Sequence, residues 1–452
     1  MFGRALGTTA AIITGLLSLV VFSRVFTWAM DTQSYNTWGA MFMVPIVIAL
    51  NGVLIAAAAR KANEAWFTRV LILGFALKLV GISARYVVAY YLYGGRADAQ
   101  AYNLYAIDHY LDWRAGNVWW EAEAGKIGTL NMELITTALY VVIGPSVITA
   151  FFVFGSLAFW GVYLLYRAFR VALPQGDHRR YAILLFFLPT VLYWPSSIGK
   201  ESWLLLFVGV TAYGAARYFN HALVTGVGLI LLGVAGTALI RPHVTVLMVS
   251  ALFVAQIVRP TTKRSTSILT KAAGVFVMGV AAVVLVTASA QFLGIDDLSA
   301  QAVSDRIDEA GGQTAQGGSA FTPVPLESPF GIPAAIITLG YRPFFWEASS
   351  GPMLVQSIEG MILLALTIAA WPRLKSLPTL LRRNPWLVFA VVYTLAFVVA
   401  FSGFSNFGIL ARQRVLMIPF FLVLLALPKP LPKEKKMTRD ATRRELVGAN
   451  YW

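Results

Sequence analysis

The chain has no cysteine, four histidines and, for its 452 residues, few acids: 21 Asp and Glu against 36 Lys and Arg. The first absence excludes disulfides, thiol nucleophiles and thiolate metal sites. The histidines are scattered and never in HExxH spacing, so no zinc motif is present. Any chemistry falls to carboxylates, arginine, lysine, histidine or hydroxyls. Charge of either sign is scarce, 13% of residues against 58% hydrophobic, and the mean hydropathy of +0.69 is far above what a water-soluble chain carries. The sequence therefore predicts an all-α polytopic membrane protein. The net charge of +15 is no sign of a nucleic-acid partner. The basic residues lie in short segments between apolar runs and in the C-terminal tail, where they set orientation. Two further absences matter. The first apolar run has no cleavage site of small residues, so it reads as a retained helix and not a signal peptide. No internal repeat is visible, which leaves the inverted-repeat pattern of secondary transporters without support.

A spanning helix needs about 20 apolar residues. On that measure spans fall near 5–23, 38–59, 67–93, 146–166, 181–195, 202–217, 222–240, 243–258, 272–292, 354–371, 386–402 and 415–428. That is about 12 in all, or about 10–13 as short runs are merged or split. With the N-terminus inside, successive inner loops carry Arg60, Lys61 and Arg69; Arg167, Arg170, Arg179 and Arg180; Arg217; Arg259, Lys263, Arg264 and Lys271; then Arg373, Lys375, Arg382 and Arg383. The positive-inside rule requires this alternation. Residues 1–428 are thus read as one integral membrane domain and 429–452 as a basic tail, with both termini cytoplasmic.

Two outward loops are long, near 94–133 and 294–352. In the first, RADAQAYNLYAIDHYLDW sets Tyr102, Tyr105, Tyr110 and Trp113 at helical spacing, the pattern of an amphipathic helix on the outer surface. Asp108 and Asp112 form its wet face. Leu134 to Gly144 is too short to span and stops before Pro145, as a re-entrant or half-buried helix does. The second loop begins acidic at Asp296, Asp297, Asp305, Asp308 and Glu309. It passes the Gly-rich GGQTAQGGSAF, which reads as a mobile lid or a linker, and ends in GYRPFFWEASSG.

Polar residues in otherwise apolar surroundings mark the candidate site, and all map to the outer side. The stretch LPTVLYWPSSIGKES over 188–202 is interrupted by Pro189 and Pro195 and brings Lys200 and Glu201 to the start of the next apolar run. An interfacial turn whose ions face water is the ordinary alternative. Asp98, just outside the third span, can take a proton from a hydroxyl if it reaches a substrate, and is otherwise a solvated loop aspartate. Arg241, Pro242 and His243 break a long apolar stretch, where a forked guanidinium grips phosphate oxygens or anchors the turn. YRPFFWE joins Arg342 and Glu347 to an aromatic block that stacks on sugar rings or sits in the interfacial belt. In NFGILARQR, Asn406 precedes Arg412 and Arg414. Two cations on the outer side, against the positive-inside bias, point to an anionic ligand more than to snorkelling. Lys78, Arg85 and Glu359 lie within spans and must face protein, with Glu359 a structural partner for one of those two cations.

In order along most of the chain, RADAQAY, ALYVVIGPS, PSSIGKES, RPH, YRPFFWEASS and NFGILARQR resemble segments of the GT-C-type polytopic glycosyltransferases and of the Wzy-like polymerases of bacterial surface polysaccharides. The resemblance implies a polyprenyl-phosphate or polyprenyl-diphosphate sugar donor at the outer leaflet of a bacterial cytoplasmic membrane. It implies Asp98 as the base and Arg241, Arg342, Arg412 and Arg414 on the lipid phosphate. Lys200, Glu201, His243, Glu347 and Asn406 are the further substrate-binding candidates. The expected partners are membrane lipid, a polyprenyl-linked saccharide and other polysaccharide-assembly proteins. No metal site and no cofactor are expected, a divalent cation at the lipid phosphate being left open. The competing class is a flippase or exporter of the same lipid-linked saccharides. It would set charges along a path with sites near the midplane, whereas the expected topology gathers them at one face.

Overall fold

The computed structural model describes residues 2–95, 97–120, 127–260, 271–276, 278–280, 283, 309, 311–315 and 318–429. The expected basic tail beyond 429, the acids Asp296, Asp297, Asp305 and Asp308, and most of the expected span 272–292 lie outside these residues. Among the described residues every regular element is helical, and the one extended pairing is an isolated antiparallel bridge between Ala320 and Asn406. The chain divides into two compact units, Met1–Trp160 with Val191–Leu206, and Gly161–Thr190 with Phe207–Trp452.

The first unit holds α1 (Phe2–Asp31), α2 (Tyr35–Ala62), α3 (Ala65–Val87, continued by a π-turn to Leu92), α4 (Asp98–Arg114), α5 (Ile127–Ile143) and the start of α6 (Val147–Ala172). In the second, α7 (His178–Phe187) breaks before α8 (Pro189–Tyr193). The later part of α9 (Lys200–Phe219) leads to α10 (Leu223–Ala238), α11 (Pro242–Ile257), α12 (Gly331–Tyr341) and α13 (Gly351–Ala369). Two short helices, α14 (Trp371–Leu374) and α15 (Leu377–Leu381), precede α16 (Pro385–Ala400), α17 (Phe407–Arg414) and α18 (Ile418–Leu425).

Among the described residues four helices are long and apolar enough to cross a membrane: α2, α3 with its π-turn, α6 and α13; the bent pair α17–α18 makes a fifth if it is one broken span. The four coincide with the expected spans 38–59, 67–93, 146–166 and 354–371. Helices α10, α11 and α16 have 16 residues each. At about 24 Å they fall short of the ~30 Å hydrocarbon core.

Elsewhere the backbone departs from the hydropathy reading. The expected span 181–195 is not one helix: Leu188 is extended (φ −69°, ψ 123°), because a proline excludes the α region for the residue before it. Helix α7 therefore ends after 10 residues and α8 starts anew. Helix α5 begins at Ile127, well before Leu134, and stops at Gly144, whose φ of +77° suits glycine alone. Helix α4 does not lie free on a surface. Tyr102 and Asn103 are buried, Tyr140 donates a 2.5 Å hydrogen bond to Asn103 Oδ1, and Arg114 Nη2 donates to the Val141 carbonyl at 2.7 Å. These bonds strap α4 along α5.

Candidate functional site

In the first unit the 191–202 turn is built around a lysine from another helix. Lys78 of α3 is 2% exposed, and its Nζ donates to the carbonyls of Pro195 (2.8 Å), Val191 and Leu192 (3.3 Å each). The last carbonyls of a helix lack intrahelical donors, and a buried ammonium supplies them here. Gly81 allows this approach, since a Cβ there would press on the Leu192 carbonyl. One turn further, the Arg85 guanidinium lies 5.3 Å from the Tyr193 ring centre and 5.0 Å from that of Trp194. Ser202 Oγ donates to the Ser197 carbonyl at 2.8 Å, and Lys200 Nζ donates to Thr129 Oγ1 at 3.0 Å. Lys200 is half-buried and Glu201 buried, at the first two positions of α9. Asp98 is exposed as the first residue of α4, where the helix dipole favours a carboxylate.

The second unit gathers most of the other candidates around α17. Asn406 caps it: Oδ1 accepts from the amides of Gly408 (2.9 Å) and Ile409 (3.1 Å) and from Ser319 Oγ (2.9 Å). The Phe407 amide donates to the Ser319 carbonyl at 3.0 Å, and the Phe321 amide to the Ser405 carbonyl at 2.8 Å. The Ser405 amide donates to Thr314 Oγ1 at 3.0 Å. The described part of the Gly-rich stretch is therefore fastened to 405–407, in place of the mobile lid or linker expected there.

This pairing stacks Phe321 on Phe407 with ring centres 4.1 Å apart. Above them sits the Arg342 guanidinium, 4.7 and 5.1 Å from the two ring centres. Its fork closes on Glu347: Nη2 reaches Oε1 at 2.5 Å and Nε lies 3.0 and 3.1 Å from the two carboxylate oxygens. Glu347 Oε2 also accepts from the Phe344 amide at 2.8 Å, and Arg342 Nη1 donates to Thr338 Oγ1 at 3.3 Å.

Arg414, 1% exposed, donates from Nη1 to the backbone carbonyl of Arg342 at 2.8 Å and sets Nη2 3.7 Å from Glu359 Oε1. Glu359 Oε2 accepts from the Thr190 amide at 2.7 Å. The cation beside Glu359 is thus Arg414, where Lys78 or Arg85 was expected. Arg241, the N-cap residue of α11, donates from Nη1 to Gln413 Oε1. His243 is half-buried, its ring 6.2 Å from that of Phe401, and Arg412 is half-buried on α17. Sequence reasoning missed Gln413, Thr338, Ser319 and Phe321. Gln413 alone carried a signal, lying between the two arginines of ARQR.

Arg241, Arg342 and Arg414, from three distant stretches, therefore meet around one eight-residue helix. Among the described residues no group of three or more histidines or acids could hold a metal ion. Comparison with protein-family models, curated proteins and solved structures found no match.

Proposed function

We propose that this chain is an integral protein of a bacterial cytoplasmic membrane that transfers or polymerises saccharide from a polyprenyl-phosphate or -diphosphate donor at the outer face. Its helices make about 12 passes, the shorter ones met by local thinning of the bilayer and snorkelling flanks, in a GT-C-like arrangement with both termini inside. The observation that carries this reading is the seating of Arg241 and Arg342 against α17, with Arg412 on the same helix and Arg414 holding the Arg342 carbonyl. Forked guanidinium donors recognise phosphate oxygens and stabilise the charge that grows on a leaving phosphate. The same reading takes Asp98 as the base that activates the acceptor hydroxyl, and Lys200, Glu201, His243, Glu347 and Asn406 as further substrate-binding residues.

A second reading, a flippase or exporter of the same lipid-linked saccharide, has one observation in its favour. Arg414 meets Glu359 near the middle of α13, not at its end, and transport sites lie near the midplane. Purified protein in detergent separates the two, because without compartments only chemistry can be scored. Glycan elongation from a polyprenyl-diphosphate saccharide, lost in Arg241→Ala and Arg342→Ala, supports the transferase. A folded wild type that elongates none, yet moves the lipid-linked saccharide across liposomes, sinks it in favour of the second reading.

A further inference from the structure

Three interrupted elements end on the same stretch of α13. Helix α7 breaks at Leu188, α12 stops at Tyr341, and α17 turns through 68° into α18 after Arg414. Each break leaves backbone groups without helical partners. One pair of side chains serves two of them: Glu359 Oε2 accepts from the Thr190 amide at the first break, and Arg414 Nη1 donates to the Arg342 carbonyl at the second. The third break carries Arg414 itself, whose Nη2 lies 3.7 Å from Glu359 Oε1.

Both residues are buried, at 4% and 1% exposure. Gly360, next to Glu359, lets the Tyr341 carbonyl seat directly on α13, because a Cβ there would sit inside contact distance of its oxygen. Helix α13 has 19 residues. At 1.5 Å per residue Glu359 lies about 12 Å from its start and about 15 Å from its end, so the junction is roughly half-way through a bilayer that α13 crosses.

A buried ion pair is a poor source of stability, since apolar residues of similar volume often do as well or better. Its use here calls for a different account. We propose that the Glu359–Arg414 pair is the positioning element of the site. It fixes the end of α12, and with it Arg342, at one depth and one angle against the Phe321–Phe407 stack. The proposal rests on the glycosyl-donor reading for what Arg342 holds. It assigns neither Glu359 nor Arg414 to touch the ligand.

The test uses the full chain in detergent and exploits its lack of cysteine. Leu339→Cys, on α12 and 0% exposed in the native protein, reports through its labelling rate with a small thiol reagent. Positioning predicts that Glu359→Gln raises that rate about tenfold or more, since a buried charge loses its partner. Elongation from the polyprenyl-diphosphate saccharide should fall in kcat by a similar factor. The double variant Glu359→Met with Arg414→Met should melt at or above the wild-type temperature, yet still label fast and elongate slowly. A structural role alone would restore all three together, and that result overturns the proposal; so does wild-type labelling in Glu359→Gln. If the wild type elongates nothing, the glycosyl reading fails, while labelling and melting still decide whether the pair holds α12.

Discussion

Lys78 and Pro195, 117 positions apart, are joined by a 2.8 Å hydrogen bond from a buried ammonium to a backbone carbonyl. Val191 and Leu192 complete the set of acceptors at 3.3 Å each. Only an ammonium offers three donors at one nitrogen. The side chain that looks most costly in an apolar helix is therefore the cap of a second one.

Replacing Lys78 by methionine keeps much of its length and strands the Val191 and Pro195 carbonyls, while that of Leu192 keeps the Ser196 hydroxyl. Each buried unsatisfied acceptor costs about 1–3 kcal/mol, so a loss of roughly 2 kcal/mol or more is expected. Thermal unfolding in detergent reads it, and a Lys78→Met melting curve that overlays wild type would show that the carbonyls find other donors.

Asn406→Ala removes the cap of α17 and the partner of Ser319 Oγ. The expected cost is about 1 kcal/mol. Ser319→Ala should cost less, because Asn406 keeps both amides. Equal losses in the two variants would place the anchoring in the serine.

Arg342→Lys keeps the charge but loses the fork on Glu347 and the flat contact with Phe321 and Phe407. Elongation should fall about a hundredfold, as when one preorganised donor is lost at a transition state. Full activity with lysine would mean that a point charge suffices there.

The loop between α6 and α7 predicts an acid-sensitive step. Asp177 accepts from Arg373 Nη2 at 2.7 Å and from the Arg180 amide at 3.1 Å. Partial burial pushes its carboxyl up, but these bonds and the nearby guanidinium charges outweigh it and hold the group below its ordinary value of 3.8. A carboxyl depressed by folding stabilises the folded state fully above that ordinary value, and the contribution is lost as pH falls below it. Melting temperature followed from neutral pH down to about 3 should therefore drop in wild type and drop less in Asp177→Asn. Parallel curves would assign the acid step to other groups.

How far the sequence could be read follows from what hydropathy measures. Long uninterrupted apolar runs, such as those that became α2, α6 and α13, are visible because about 20 residues of one character have few other uses. Runs that bend are not. Residues 181–195 count as apolar as readily as a straight span does, yet Leu188 breaks them. Local pairs were legible for the same reason: Arg342 and Glu347 stand five residues apart, and Asn406 heads its own helix. The partners of Glu359 were not, since Thr190 and Arg414 are brought to it only by breaks in the helices that carry them. The Ser319–Asn406 contact, 87 positions apart, was hidden by a loop whose composition reads as mobile.

The reach from Lys78 to the carbonyls of 191–195 also sets a condition on biosynthesis. Chain is made at about 5–20 residues per second, so on the order of ten seconds pass between the emergence of α3 and that of its acceptors. For that interval a charged lysine belongs to a nascent apolar helix with nothing yet made to receive it. Inserting α3 before the residues of α8 arrive then carries the cost of an unpartnered lysine, about 3 kcal/mol at the centre of a spanning helix.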